Sequence, residues 1–457
     1  MKNRFGVDWS KTRGTRFWNR PVMHRRMFFK SMATAVGGYM LMPERPGETI
    51  ARAESRVQGT AKNCIFILMQ GAPSHTDTFD LKEGAWTPSF MTPASYGSIR
   101  WPQGLMPKLA DQIDDFAVVR SVRAYATAHG LAQTWVQIGR NPISGLARIA
   151  PHIGSVVSIE LGPKSADRTL PPFISLNASN GPGAGYLPPE NDPFYVNPNG
   201  GGLSNTSHAD GAAALDRRYG LMLDLDAELL FDPSIGGTTS EMAHFRENAR
   251  KLMYNPNVSK IFSFDQAARN LYGNTSFGNA CATARNLIKA DMGTRFVQIT
   301  FGSWDHHSNI YQPNANLQSM ARQFDNGLGQ LMADLKNDGL LDSTLIVAMG
   351  EFGRTVSALN QTAGRDHHLQ QSAFFAGARI KGRQAIGSTD AAGATVIEPG
   401  WSAGREVRNE DIEATIYSAL GIDWTTIRRD DPFGRGFEYV PSSTVDYTYQ
   451  PINELWG

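Results

Sequence analysis

Cysteine is nearly missing, with 2 in 457 residues. Two thiols cannot build a disulfide framework or a structural zinc cluster, so stability has to come from a packed core. Charge is sparse and balanced: 19% of residues are charged, with 44 Lys+Arg against 43 Asp+Glu. A net charge of +1 lacks the basic surplus from which a general nucleic-acid binder draws its affinity. Long apolar runs are absent too, since no stretch reaches the roughly 18 residues of a spanning helix. Internal repeats are also missing. What remains is a chain of enzyme size, 41% hydrophobic, with 45 Gly, 25 Pro and 10 His. At about 150 residues per domain it reads as two or three domains, or as one long α/β domain.

The first residues read as an export address. His24-Arg25-Arg26-Met27-Phe28-Phe29-Lys30 has the paired arginines, aromatics and lysine of a twin-arginine signal. A weakly apolar stretch, Ser31 to Met42, follows, and Ala51-Arg52-Ala53 supplies the small-x-small pattern of a cleavage site. Cleavage near Ala53 sends the remaining chain, 54–457, to the periplasm or beyond, with the twin-arginine translocation machinery as its partner. Residues 1–53 hold 11 Lys+Arg and 3 Asp+Glu, so their removal turns +1 into −7, or 33 basic against 40 acidic residues. The mature chain is mildly acidic, which disfavours nucleic acid further.

Beyond the signal the pattern is α/β. Asn63 to Met69, Phe116 to Val119, Arg295 to Thr300 and Thr344 to Met349 are short apolar runs of the kind that fill buried parallel strands. Between the last two, Leu317, Met320, Phe324, Leu328, Leu331 and Leu335 recur in steps of three and four, an amphipathic helix. Ile412, Ile416 and Leu420 mark another, stopped by Gly421. Strand, helix, strand at this spacing predicts a parallel sheet with helices on both faces, working loops lying beyond the strands' carboxyl ends. Asn177 to Asn205, rich in Gly, Pro and Asn with Tyr186, Phe194 and Tyr195, reads as an inserted loop, either a lid or a surface excursion.

The chemistry gathers in four segments: Gln70 to Asp80, Ala128-His129-Gly130, Trp304-Asp305-His306-His307, and Gly350-Glu351-Phe352-Gly353-Arg354 with Gly364-Arg365-Asp366-His367-His368. Six of the ten histidines lie in them. Imidazole and carboxylate from several elements are what a divalent cation needs when a position is left open for substrate. Asp305 and His307, two apart, share a side if the chain is extended there, while His306 points away. Local geometry decides which of the two histidines faces a metal. The mixed nitrogen and oxygen donors do not choose among zinc, calcium and manganese.

These motifs, in this order, resemble the exported family called domain-of-unknown-function 1501 over essentially the whole mature chain. That family is similar to the alkaline phosphatase and sulfatase superfamily. The resemblance implies an α/β fold, a three-layer αβα sandwich with a mostly parallel central sheet, alkaline phosphatase-like. It also implies a divalent metal centre that hydrolyses phosphate or sulfate esters through a covalent intermediate. Asp305, His307 and His367 match positions that hold one metal in phosphatases, and Asp77 (or Asp80) and Glu351 are candidates for a second position or for orienting ligands. The acidic pair after the first strand is replaced by Gln70 and Gly71, and the Asp-His-Gly metal motif by Glu351-Phe352-Gly353. His129, eleven positions before Arg140, falls where sulfatases carry their nucleophile. An imidazole there can serve as nucleophile, proton donor or ligand. Arg354 and Arg365 are candidates to clamp an oxyanion.

The expectation is therefore an exported metal-dependent hydrolase acting on an anionic small-molecule or glycan ester. The alternative is a catalytically inactive exported binding protein that keeps the fold and a structural metal.

Overall fold

The residues of the first apolar run, Asn63–Leu68, form strand β1 and are buried throughout. The computed structural model describes residues 57–163, 169–227, 236–442 and 448–457, and the export signal expected at 1–53 lies outside them. After β1 come β2 (Phe116–Arg123), α1 (His129–Ile138), α2 (Ile153–Leu161), β3 (Phe173–Leu176) and β4 (Phe194–Val196). Helix α3 (Ser276–Ala290), β5 (Phe296–Thr300), α4 (Asn316–Asn337) and β6 (Thr344–Met349) follow, then β7 (Gln370–Gly377), β8 (Gln384–Ile386) and α5 (Asn409–Ala419). The eight strands form one sheet in the order β8-β2-β7-β6-β1-β5-β3-β4.

β1 pairs in parallel with β5 on one side and β6 on the other, and β3 and β4 extend the parallel set. Alternate side chains of β1 serve opposite layers, as the pleat requires. Ile65 and Ile67 join the core built with α3 and α4. Cys64, Phe66 and Leu68 join the one built with α2 and α5. The result is the expected three-layer αβα sandwich with a mostly parallel sheet. The helical spacing read around Phe324 is α4, and the C-terminal helix is α5.

Strand β7 was not legible, and it runs antiparallel to both β6 and β2. It begins Gln370-Gln371-Ser372, polar residues that are buried in the structure. Gln370 is accommodated because its amide donates to the carbonyls of Arg120 (2.8 Å) and Val122 (2.9 Å). Tertiary partners thus make a strand of a segment whose pattern does not announce one. The Asn177 to Asn205 segment is partly structured, contributing β4 at the sheet edge, and its Tyr186 packs on Phe437 with ring centroids 5.0 Å apart. No described helix is long and apolar enough to cross a membrane.

Phe324 of α4 is fully buried, with the rings of Phe79, Phe277, Phe301, Trp304 and Phe374 all within 6.4 Å of its centroid. Phe324→Ala should destabilise the protein by about 3–5 kcal/mol in denaturant unfolding, and a loss near zero would mean that this aromatic cluster does not hold the layer together.

On the opposite layer, burial pushes the carboxyls of Glu413 and Glu410 on α5 up to about 8 and about 7. Such a group keeps its proton in the folded chain where the unfolded chain has lost it. For Glu413, stability declines as pH rises from about 4, the unfolded value, towards about 8. Glu413→Gln should flatten that decline and be more stable than the parent at roughly pH 9. Urea midpoints measured on both proteins across the range check this, and parallel pH profiles would contradict it.

Candidate metal centre

All four chemical segments arrive at one edge of the sheet. Gln70 and Gly71 follow β1, His129 opens α1 after β2, Asp305 and His307 follow β5, and Glu351 follows β6. His367 comes from the other direction: because β7 is antiparallel, its beginning lies at the edge where the parallel strands end. A short ladder between Gly353–Arg354 and His367–His368 ties these last two loops together.

Two glycines let the loops close up. Gly71, at φ +102°, sits where a Cβ would stand 2.7 Å from the Asp305 nitrogen. At Gly364 a Cβ would stand 2.0 Å from the carbonyl carbon of His307. Any larger residue at either position would push the Asp305–His307 turn away.

One donor atom each from His129, Asp305, His307 and His367 lies within 4.8 Å of all the others. The outward ring nitrogen of each histidine is held by an acceptor. His129 Nδ1 lies 2.6 Å from Glu351 Oε1, His307 Nδ1 2.9 Å from Asp366 Oδ1, and His367 Nδ1 2.7 Å from the Thr127 carbonyl. Carboxylates and carbonyls only accept, so in the neutral rings each Nδ1 carries the proton and each Nε2 keeps a lone pair. Those three lone pairs converge on Asp305. His307 Nε2 is 3.0 Å and His367 Nε2 3.7 Å from its Oδ1, and His129 Nε2 is 3.4 Å from its Oδ2. The Nε2 atoms of His307 and His367 approach to 3.0 Å, and His129 Nε2 is buried without a hydrogen bond. Arg354 donates to Asp305 and, at 3.3 Å, to His307 Nε2. In the neutral rings, however, the Nε2 lone pairs of His129 and His367 meet no donor among the described residues, and a cation placed between them would serve all three rings and the carboxylate. Nδ1 protons fixed by carboxylate or carbonyl are the arrangement that orients metal-binding imidazoles.

Charge in the site follows the same logic. Burial opposes ionisation of Asp305, but the hydrogen bond and charge of Arg354 outweigh it and hold the carboxyl below the usual range. Burial and then the Arg354 charge lower the His367 pKa, which keeps its Nε2 unprotonated. Asp305 and His307 are each 44% exposed, so the group is open to solvent on one side. A catalytic metal needs such an open side, whereas a structural one is closed.

Several residues expected at the site do other work. Asp77 is buried and spends both oxygens on Arg365 (2.7 and 3.3 Å) and Tyr311 (2.6 Å), which removes it as a ligand. Arg365, fully buried, gives its remaining donors to Tyr311 and to the carbonyls of Thr355 and Ser357. It cannot also clamp an oxyanion. Arg354, 1% exposed, donates to the carbonyls of Gly71, Ala72 and Arg365, to Asp305 and to His307 Nε2. It positions ligands rather than substrate. Glu351 is buried and orients His129 instead of lying in the ligand group. Asp80 bonds to Thr389 and faces Lys82, away from the group. Of the two adjacent histidines it is His307 that joins, while burial lowers the His306 pKa to about 4.

Three orienting groups escaped the sequence reading. Asp366 lies beside His367 in the motif and could have been suspected. The Thr127 contribution is a backbone carbonyl that no residue type reveals, and Gln133, which donates to Glu351 at 3.0 Å, sits mid-helix without a motif.

The buried aspartate and the exposed histidine should therefore separate in experiment. Asp77→Ala strands a buried guanidinium and should cost about 3–5 kcal/mol of stability. His307→Ala, at the exposed centre, should stay within about 1 kcal/mol of the metal-free parent. Equal losses in thermal unfolding of the two variants would contradict this division.

Among curated proteins, none matches the chain. Among solved structures it is similar to PsFucS1 sulfatase from Pseudoalteromonas sp., at 14% identity over 80% of this chain and 68% of that one (TM-score 0.39). It is also similar to a protein in the alkaline phosphatase superfamily from Vibrio parahaemolyticus, at 13% identity over 81% and 68% (TM-score 0.37). A third is a TAB5 alkaline phosphatase mutant with Mg bound, at 13% over 80% and 99% (TM-score 0.37). At this level of likeness no chemistry is transferred from them. The family model described as "Protein of unknown function (DUF1501)" matches residues 61–439, and the chain belongs to that family.

Proposed function

We propose that this chain is an exported metal-dependent hydrolase of phosphate or sulfate esters, with a divalent ion held by His129, Asp305, His307 and His367. The observation that carries the reading is the convergence of three Nε2 lone pairs on the Asp305 carboxylate, each opposite Nδ1 being anchored. Three imidazole nitrogens and one carboxylate oxygen suit zinc or a similar first-row ion better than calcium, which prefers an all-oxygen shell. When bound, such an ion supplies Lewis-acid polarisation of an ester oxygen and activates water near neutral pH.

The chain's own residues do the rest. Arg354 keeps Asp305 ionised and aimed, and Glu351, Asp366 and the Thr127 carbonyl fix the ring orientations. Glu351 fixes the His129 ring through Nδ1 and so turns Nε2 toward the ion. Helix α1 has no side-chain cap, and its free N–H groups favour an anion beside His129.

One observation favours the alternative of a non-catalytic binding protein: both arginines expected to clamp an oxyanion are spent on internal contacts. Ester turnover separates the readings. Purified mature protein should carry metal and hydrolyse phosphate or sulfate monoesters, with turnover lost on chelation and in His129→Ala and Asp305→Ala. Bound metal without turnover of any ester would leave the binding protein standing. Absence of metal would end the metal-centre reading altogether.

A further inference from the structure

Resting on that reading, we infer that the centre takes one ion per chain, because the space beside Glu351 is closed by a clamp of two neutral amides, Gln70 and Gln133. Glu351 is fully buried, and its acceptor capacity on the site side is in use. Its Oε1 receives His129 Nδ1 at 2.6 Å, Gln133 Nε2 at 3.0 Å and the Gly71 N–H at 3.0 Å, and its Oε2 lies 3.3 Å from the same N–H. Gln133 Oε1 in turn accepts from Gln70 Nε2 at 3.0 Å. The three N–H donors saturate Oε1 and present positive hydrogen-bond dipoles to any cation, while Oε2, reached only by the longer Gly71 contact, is sealed from solvent with the rest of the side chain.

The neighbours supply no substitute ligand. Phe352, fully buried, sets its ring 4.8 Å from that of His129 and 4.6 Å from that of His367, so an apolar face closes the centre there. Asp77 is committed to Arg365 and Tyr311. Among the described residues the metal-ligand group is confined to His129, Asp305, His307 and His367. A second divalent ion would have to strip Glu351 of its donors and would leave the His129 Nδ1 proton and two amides without partners, each at the cost of a buried unsatisfied group.

The clamp is also braced. Gln137 donates to the Gln133 carbonyl one turn back (3.0 Å), accepts from Gln298 of β5 (3.1 Å), and Gln298 is bonded to His152 at the start of α2 (2.7 Å). Gln133 is thus a positioning residue: it touches no ligand atom of the centre, but holds the carboxylate that holds His129.

The test is a metal count. The full mature protein is equilibrated with Zn²⁺ alone and dialysed, its metal is counted by mass spectrometry, and its Kd is read by competition with a chelating dye. One zinc per chain is expected in the parent. Gln133→Ala leaves His129 Nδ1 and the Gly71 N–H on Glu351, so it should keep that count, with a Kd weakened about 10–100-fold and a shifted absorption band in the Co²⁺-loaded form. Gln70→Ala, at the partly exposed end of the clamp, should weaken Kd in the same direction and covers the case that Gln133→Ala does not fold. Two ions per chain in the parent, or parental Kd and Co²⁺ spectrum in folded clamp variants, would overturn the inference while leaving the metal-dependent reading intact. No zinc in the parent would instead remove the reading on which the inference rests.

Discussion

A single buried guanidinium holds the working edge of this molecule together. Arg354 reaches back from the loop after β6 to the carbonyls of Gly71 and Ala72 after β1, across to Asp305 after β5, and down to the carbonyl of Arg365 before β7. Burying such a charge costs several kcal/mol, which only a full set of acceptors offsets. The acceptors here are backbone carbonyls and the side chains of Asp305 and His307, drawn from different loops. Satisfying the arginine and assembling the centre are therefore the same event, and the loops cannot drift apart without exposing an unpaired cation to an apolar interior. Arg365 repeats the device one layer out, with Asp77 and Tyr311 as its partners.

Much of the fold could be read from the chain because its central strands are buried on both faces. Such strands leave continuous apolar runs, and Asn63–Leu68 and Thr344–Met349 are of that kind. β7 escaped because its buried glutamines are paid for by partners distant in sequence. The site divided along a similar line. Asp305, His307 and His367 are readable as candidate ligands from residue type alone, whereas the position of His129 points first to a nucleophile or proton donor. The work of Asp77, Arg354, Arg365 and Glu351 is not readable in this way, because a carboxylate or guanidinium says nothing of its partner until the loops are in place. An arginine in a motif beside histidines invites the reading of an anion clamp, and only the census of its five donors shows that none is left over.

The layer behind the site is unusual in a different way. Helix α5 buries Glu410 and Glu413, and Trp135 of α1 donates its indole N–H to Glu410 at 2.8 Å. His129 stands at the other end of α1. The helix that presents His129 thus leans on a carboxyl that resists ionisation. At the site, by contrast, Arg354 holds the Asp305 carboxyl below its usual range. Carboxyls pushed in opposite directions therefore lie near the two ends of a ten-residue helix, each set by its local burial and partners.

The reversed direction of β7 also decides how the site is assembled. Because β6 ends and β7 begins at the same edge, the chain between them, residues 350–369, leaves and returns to one place. That single excursion delivers Glu351, Arg354, Arg365, Asp366 and His367, while its middle, around Ser357 to Ala363, is largely exposed. Its feet are pinned by the sheet and its crest is tied to the turn that carries His307: Asn360 donates to the His307 carbonyl and to Asp366, and Thr362 donates to the same carbonyl. Recomposing the crest would therefore loosen the His307 turn and the Asp366 carboxylate that orients its ring. The reversed strand makes one hairpin-like excursion a single unit, in which His367, the groups that orient its neighbours and the ties between them fold together or not at all.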